Sequence, residues 1–224
     1  AIYSEATIAG ALLIPFMGGY IDRINIKNFS FISGLILMLS LVLLSRSLSV
    51  IDLFFGLALL RLSGQGLLSH ISGTSISRYF KSTRGKAFGV SSLGFPLSQA
   101  VMPSLIVLSI GVYGWRETLF LAAVSVIVVF LPSARLLIKK SEAFSQATFL
   151  QIRVERDWFR FFKNPILKSP YFLMISPFSV APAFVLTGVF INQSEISKAK
   201  EWPIELVASA FIAFAAARLL FSFF

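Results

Sequence analysis

Apolar residues in this chain neither alternate nor keep to one helical stripe. They come in long blocks, separated by short polar stretches rich in lysine and arginine. Seven blocks can be bounded, at about Ala6–Tyr20, Phe29–Leu44, Leu53–Ser77, Ala87–Val112, Leu119–Ile138, Tyr171–Ile191 and Ile204–Phe224. A helix crossing about 30 Å of hydrocarbon takes roughly 20 mostly apolar residues, so each block predicts a transmembrane helix. Helices are required because lipid cannot hydrogen-bond an open backbone. A secretory signal is a poor reading of the first block, because no basic leader precedes it and more blocks follow.

The blocks differ in polarity. The second and fifth carry almost no polar side chains and are expected to face lipid on much of their surface. The third is different. Ser63, Gly66, His70, Gly73, Thr74 and Ser77 fall on one stripe by their spacing, and Arg61, Gln65, Ser69 and Ser72 on a neighbouring one. Such a face needs partners or water and is expected to line a cavity. Pro96 and Pro103 in the fourth block, and Pro177 and Pro182 in the sixth, each free a carbonyl one turn earlier and should bend their helices. Gly85 and Gly89 form a G-x-x-x-G pair suited to helix packing.

Composition supports the membrane reading. Of 224 residues, 56% are hydrophobic and 13% charged, against about 25% charged in soluble domains. Mean hydropathy is +0.83. The formal charge of +10 could indicate a nucleic-acid partner, but here the basic residues punctuate apolar runs instead of covering a polar surface. Fourteen of the 20 lysines and arginines fall in one set of alternate loops: Arg23 and Lys27, then Arg78, Lys81, Arg84 and Lys86, then eight between Arg135 and Lys168. The opposite set holds four, Arg46, Arg116, Lys198 and Lys200. The first set is therefore expected in the cytoplasm, in a protein integral to the cell (inner or plasma) membrane. Arg61 and Arg218 lie inside blocks.

The longest connection, 139–168, places Val154, Trp158, Phe161 and Phe162 at helical spacing among basic residues, which predicts an amphipathic helix on the inner membrane surface. It divides the chain into 1–138, a linker over 139–170, and 171–224. Zero cysteines and one histidine leave no disulfide framework and little metal or imidazole chemistry. Neither H-E-x-x-H nor G-x-S-x-G is present, so no catalytic residue, metal or cofactor is expected.

The first basic loop reads Gly18-Gly19-Tyr20-Ile21-Asp22-Arg23-Ile24-Asn25-Ile26-Lys27. It resembles the signature loop of the major facilitator superfamily, a glycine, then Asp-Arg, then glycine and basic residues. Gly18, Asp22, Arg23 and Lys27 match, while Asn25 stands where a second glycine is usual; asparagine tolerates left-handed angles, so the turn is expected to survive. Arg61-Leu62-Ser63-Gly64-Gln65-Gly66 is similar to the start of that superfamily's fourth helix, and Arg78–Ala87 to the loop after it. Gly114-Trp115-Arg116 looks like the entry to the sixth helix and, with the polar last block, resembles the monocarboxylate and oxalate–formate branch.

The resemblance implies an all-α helical bundle of the major-facilitator type, truncated to helices two to eight of twelve. Ala1 at the start and an apolar run ending at Phe224 agree with a fragment. Two apolar helices three spans apart agree with the three-helix repeat of secondary transporters. The implied function is transport of a small organic anion across the bilayer by alternating access, by a protein that is monomeric when full length. Drug or sugar transport in the same superfamily, or a non-transporting membrane sensor, are the alternatives.

Arg218, about 14 residues and roughly 21 Å into its helix, is expected to bind a substrate carboxylate; snorkelling to the cytoplasmic surface is the other reading. Arg61, Gln65 and His70 are further substrate-site candidates, each with helix-packing or pairing as its alternative. Gly18, Asp22, Arg23 and Lys27 are assigned to a conformational switch, with Asp22 set to pair with an arginine or a helix N-terminus. Monocarboxylate relatives often carry an aspartate one turn before the arginine; Phe214 stands there, and no acid lies deep in a block. Proton coupling through an intramembrane carboxylate is therefore not expected unless helices outside these seven supply one, and anion exchange (an antiporter) or charge-driven uptake are the open modes.

Overall fold

A computed structural model of the chain describes residues 2–22, 24–80, 82–137 and 169–221. Among them the protein is entirely helical. Each predicted block is matched by a helix: α1 (Ile2–Gly18), α2 (Ile26–Ser45), α3 (Val50–Tyr79), α4 (84–113), α5 (115–137), α6 (Pro170–Ala199) and α7 (Ile204–Phe221). Three described stretches are long and apolar enough to cross a membrane: Ile26–Ser45, Val50–Tyr79 and Arg84–Leu136.

The last of these, at 53 residues, extends about 80 Å if straight, far more than one crossing needs. It folds back at Gly114, whose φ of 79° and ψ of 165° no helix contains. The Ser109 and Thr118 hydroxyls lie 3.0 Å apart across that turn, where nine residues of unbroken helix rise about 13 Å. α4 and α5 are therefore two arms of a hairpin, and the chain is an integral, multi-pass membrane protein.

Contacts divide the chain into two units, Ala1–Ile152 with Ala215–Phe224, and Arg153–Phe214. In the first unit α1 packs on α3, α3 on α2, and α2 on α5. Close approach is possible because small residues stand at the crossings. A Cβ added at Gly10 of α1 comes within 2.9 Å of the Ala58 carbonyl oxygen, and one at Gly34 of α2 within 2.7 Å of Leu131 and Phe130. One apolar core joins Ile21, Ile26 and Phe29 to Leu62, Leu67 and Ile71; another joins Leu41 to Ala123 and Val126.

α2 is packed on one part of its surface and exposed on another, where Ile32, Leu35 and Leu39 stand. It is the most enclosed of the three long stretches, and its buried positions include Ser30, Ser33, Gly34, Ser40 and Ser45. Small side chains let neighbours approach, and in a membrane that packing holds helices together. Ser40 and Ser45 donate to carbonyls of their own helix, at Leu37 (2.6 Å) and Val42 (2.8 Å). Serines within an apolar run, which look negligible against the leucines, mark its packed faces.

In α4 the proline expectation fits Pro96, while the helix runs unbroken past Pro103. The helix is interrupted at Leu93, three residues before Pro96. In α6 the helix runs continuously past Pro177 and Pro182. Gly85 and Gly89 pack nothing, since a Cβ at either meets no described atom within 4 Å. The expected surface helix and its linker lie outside the described residues.

In the second unit, α6 ends in a Schellman turn. Trp202 N–H donates to the Ser197 carbonyl (3.0 Å) and Glu201 N–H to that of Lys198 (3.2 Å), with Glu201 at φ 55° in the left-handed position.

Candidate functional site

α3 carries the most polar spans of the first unit, and its backbone is unusual there. From Arg61 to Leu68 it opens into π turns, in which bonds run from residue i to i+5. Such turns concentrate at functional positions. They also change which residues share a face. Each residue added to a turn rotates the later residues back by about 100°, one residue's share of a turn.

The two predicted stripes accordingly separate. Ser63 and Gly66 are buried: Ser63 Oγ donates to the Leu59 carbonyl (2.7 Å), and a Cβ at Gly66 comes within 2.8 Å of Ile14 of α1. That part of the first stripe is helix packing and lines no cavity. Gln65, Ser69, His70 and Ser72 are exposed, so the second stripe with His70 forms the open face. Ser72 reaches Ser91 of α4 at 3.3 Å.

Arg61 is the organising cation of this face. It lies eleven residues, about 16 Å, along α3 from Val50, deeper than its place in the Leu53–Ser77 block implies. For a helix entering at Val50, that depth is close to the middle of a 30 Å hydrocarbon layer. A guanidinium there is held by two neighbours. It donates to Gln65 Oε1, one turn on, and its central carbon sits 5.8 Å from the centroid of the Tyr3 ring of α1. Arg61 is half-buried and Gln65 exposed, so part of the pair's hydrogen-bonding capacity faces outward. A guanidinium fork offered this way suits a carboxylate. The structure thus brings Arg61 and Gln65 together and leaves His70 exposed farther along α3.

The other site candidates fall elsewhere. Arg218 is on α7, fourteen residues past Ile204, but its side chain lies outside the described residues. In the signature loop the backbone passes from α1 through a short 3-10 turn, Gly19–Asp22, into α2. Arg23 and the side chain of Asp22 lie outside the described residues, so the expected pairing of Asp22 does too. Gly18 is the last residue of α1, and Lys27 stands in the first turn of α2.

Asn25 differs from expectation. It adopts φ −54°, ψ 132°, not a left-handed conformation, and its Oδ1 accepts the Lys27 N–H at 3.0 Å. The residue serves as the N-cap of α2, which needs a short acceptor side chain where a glycine offers none. Among the described residues, no three His, Asp or Glu side chains come together in a way that could hold a metal ion.

Sequence reasoning missed the end of this unit at the α2–α3 loop. Arg116 donates to the Ser47 carbonyl at 3.0 Å and lies 5.0 Å from the Trp115 ring, and Arg46 lies 5.5 Å from the Phe120 ring. Ser49 and Asp52 form a capping box that starts α3, with Asp52 also accepting the Leu48 N–H. The Ser49–Asp52 spacing was legible; a contact between residues 69 apart was not.

The fold and this face describe a multi-pass, all-helical membrane bundle with a cation set into the polar side of one span. Comparison with known proteins agrees: the model of the Major Facilitator Superfamily matches residues 2–224, and the chain belongs to that family. It is also similar to monocarboxylate transporter 14 of Mus musculus, 28% identical over 107 residues, which cover 48% of this chain. The match spans 21% of the length of that relative. No solved structure matches.

Proposed function

We propose that the chain is the carrier-forming part of a secondary transporter that moves a small organic anion by alternating access. Membership of the family supports transport in general. The observation that carries the anion reading is the Arg61–Gln65 pair, a half-buried guanidinium on the open face of a membrane-spanning helix. A cation at depth costs on the order of 2.5 kcal/mol or more, so its retention points to use. The similarity to a protein named as a monocarboxylate transporter points the same way.

In this reading Arg218 of α7 is a second carboxylate-binding guanidinium, and residues 139–170 link the segments 1–138 and 171–224. Gln65 and His70 orient the rest of the substrate. Gly18, Asp22, Arg23 and Lys27 form the loop that changes state as access alternates. A bound anion is released when that loop rearranges, so neither arginine can hold it in a fully closed cage.

The test is uptake of radiolabelled lactate by cells expressing the full open reading frame, wild type against Arg218→Ala and Arg61→Ala. The reading expects a fall of at least tenfold in both variants at equal surface expression. Unchanged uptake in both would sink the anion site.

A further inference from the structure

The α2–α5 pair has a regularity that the candidate site does not use. The helices run antiparallel, and their contacts keep one register. Phe31 meets Arg135, Gly34 faces Phe130 and Leu131, Leu41 packs in one cluster with Ala123, and Arg46 meets Phe120. The pattern is reciprocal. In each helix a phenylalanine precedes an arginine by fifteen residues, Phe31 with Arg46 and Phe120 with Arg135. Each arginine covers the other helix's ring, at 5.5 Å for Arg46 over Phe120 and 4.1 Å for Arg135 over Phe31. Three residues after each phenylalanine comes the small residue of the crossing, Gly34 and Ala123. A local twofold axis thus relates α2 to α5.

Fifteen residues span about 22 Å, so the two cation–ring contacts sit near opposite ends of the pair. One contact point leaves two helices free to slide or splay; two points that far apart do not. A slide of one helical turn, about 5.4 Å, parts both arginines from their rings. The contact at Arg46 continues into α3. One turn before Phe120, Arg116 holds the Ser47 carbonyl (3.0 Å), and Ser47 Oγ in turn donates to the Leu44 carbonyl (2.9 Å). Ser49 and Asp52, next along the loop, fix the first turn of α3 through their capping box. From there α3 runs as one helix to Arg61.

We propose that Arg46, Arg135 and Arg116 are positioning residues: they clamp α2 to α5 at both ends and hold the start of α3 against that pair, which sets the depth of Arg61. Guanidinium groups do this where apolar side chains cannot. At a membrane–water boundary the ring face still attracts a cation, while apolar contact with lipid is as good as contact with another helix. Two of the four basic residues on the weakly charged loop set, Arg46 and Arg116, are thereby committed within the protein. The clamp itself is independent of the carrier reading; only its consequence for transport rests on it.

Residues 1–224 hold no cysteine, so within them spin labels can be placed singly once any cysteine elsewhere in the full-length protein is replaced by serine. Leu48→Cys in the loop before α3 and Val128→Cys on α5 are both exposed sites within the first unit. Pulsed electron-spin distances between them would be recorded in the full-length protein in nanodiscs, for the wild-type background, Arg46→Met with Arg135→Met, and Arg116→Met. Lysine versions of the same three form the rescue series, because an ammonium also binds a ring face or a carbonyl. The expected result is a distance distribution at least twice as wide in the methionine variants and of wild-type width in the lysine variants. Equal widths for methionine and wild type, or for methionine and lysine, would overturn the clamp. Should the double variant fail to fold, Arg46→Met alone reads the end at the α2–α3 loop. In lactate flux, half-saturation should rise severalfold in the methionine variants and return to the wild-type value in the lysine variants, because a displaced Arg61 binds substrate less well. Unchanged half-saturation in the methionine variants would overturn the claim that the clamp sets the depth of Arg61. Absence of lactate flux in the wild type counts against the carrier reading and leaves the distance measurement to decide the clamp.

Discussion

Replacing Gly114 with alanine isolates the backbone cost of the α4–α5 turn. A Cβ at this position meets nothing within 4 Å, so no clash contributes. The remaining factor is the conformation, φ 79° and ψ 165°, a region that is essentially glycine-only. Holding an alanine there costs on the order of 1–3 kcal/mol. Gly111, three residues earlier and equally open, provides the control. It lies within the regular helix, where alanine is favoured over glycine by about 0.5–1 kcal/mol. The two variants should therefore differ by about 1.5–4 kcal/mol, roughly a 10- to 700-fold difference in unfolding equilibrium. Denaturant titration of the purified full-length protein in detergent, followed by tryptophan fluorescence, reads the difference. Gly114→Ala should lose stability and Gly111→Ala hold or gain it. Equal midpoints for the two would refute the turn and, with it, the division of the Arg84–Leu136 run into two crossings.

Other contacts carry their own expected outcomes. Gly10→Ala drives a Cβ against the Ala58 carbonyl oxygen and the Arg61 Cβ, which cannot both move aside; it should cost about 1–3 kcal/mol and lower substrate affinity, checked by thermal shift and uptake. Asn25→Ala should cost about 0.5–2 kcal/mol by loss of the α2 cap, and Asn25→Gly only a few tenths, so a clear gain from glycine in a melting curve would contradict the capping role. Glu201→Gly should raise stability by about 0.5–1 kcal/mol, since it relieves a left-handed glutamate (about 1–2 kcal/mol) and gives back part in unfolded-state entropy; a lower melting temperature would count against the Schellman geometry.

Block length and hydropathy were enough to locate every described helix, because a membrane span has a fixed minimum length and a strongly apolar composition. α4 and α5 are an instructive pair: the polar gap that holds Arg116, Glu117 and Thr118 divides the two apolar runs, and the non-helical Gly114 lies beside it. Polarity within spans was harder to interpret. The stripe through Ser63 and His70 assumed 100° per residue, and the π turns from Arg61 to Leu68 leave Ser63 packed and His70 exposed. The leucines of α2 outnumber its serines and so suggest lipid, yet Ser33 and Ser40 are fully enclosed. The surroundings of a helix depend on its neighbours and cannot be counted from its own composition. Asn25 shows the same limit locally: one position can be filled by a left-handed turn residue or by a cap, and only the backbone angle tells them apart. Arg116 and Ser47 meet because α2 and α5 are paired, a tertiary fact with no local signature.

Flux into proteoliposomes reconstituted from the full open reading frame tests the central claim most directly. The account predicts saturable uptake of radiolabelled lactate that is competed by other small carboxylates and not by a neutral sugar, and that falls at least tenfold with Arg61→Ala. Lactate that binds without crossing, or sugar that crosses as readily as lactate with Arg61 irrelevant to both, would contradict it.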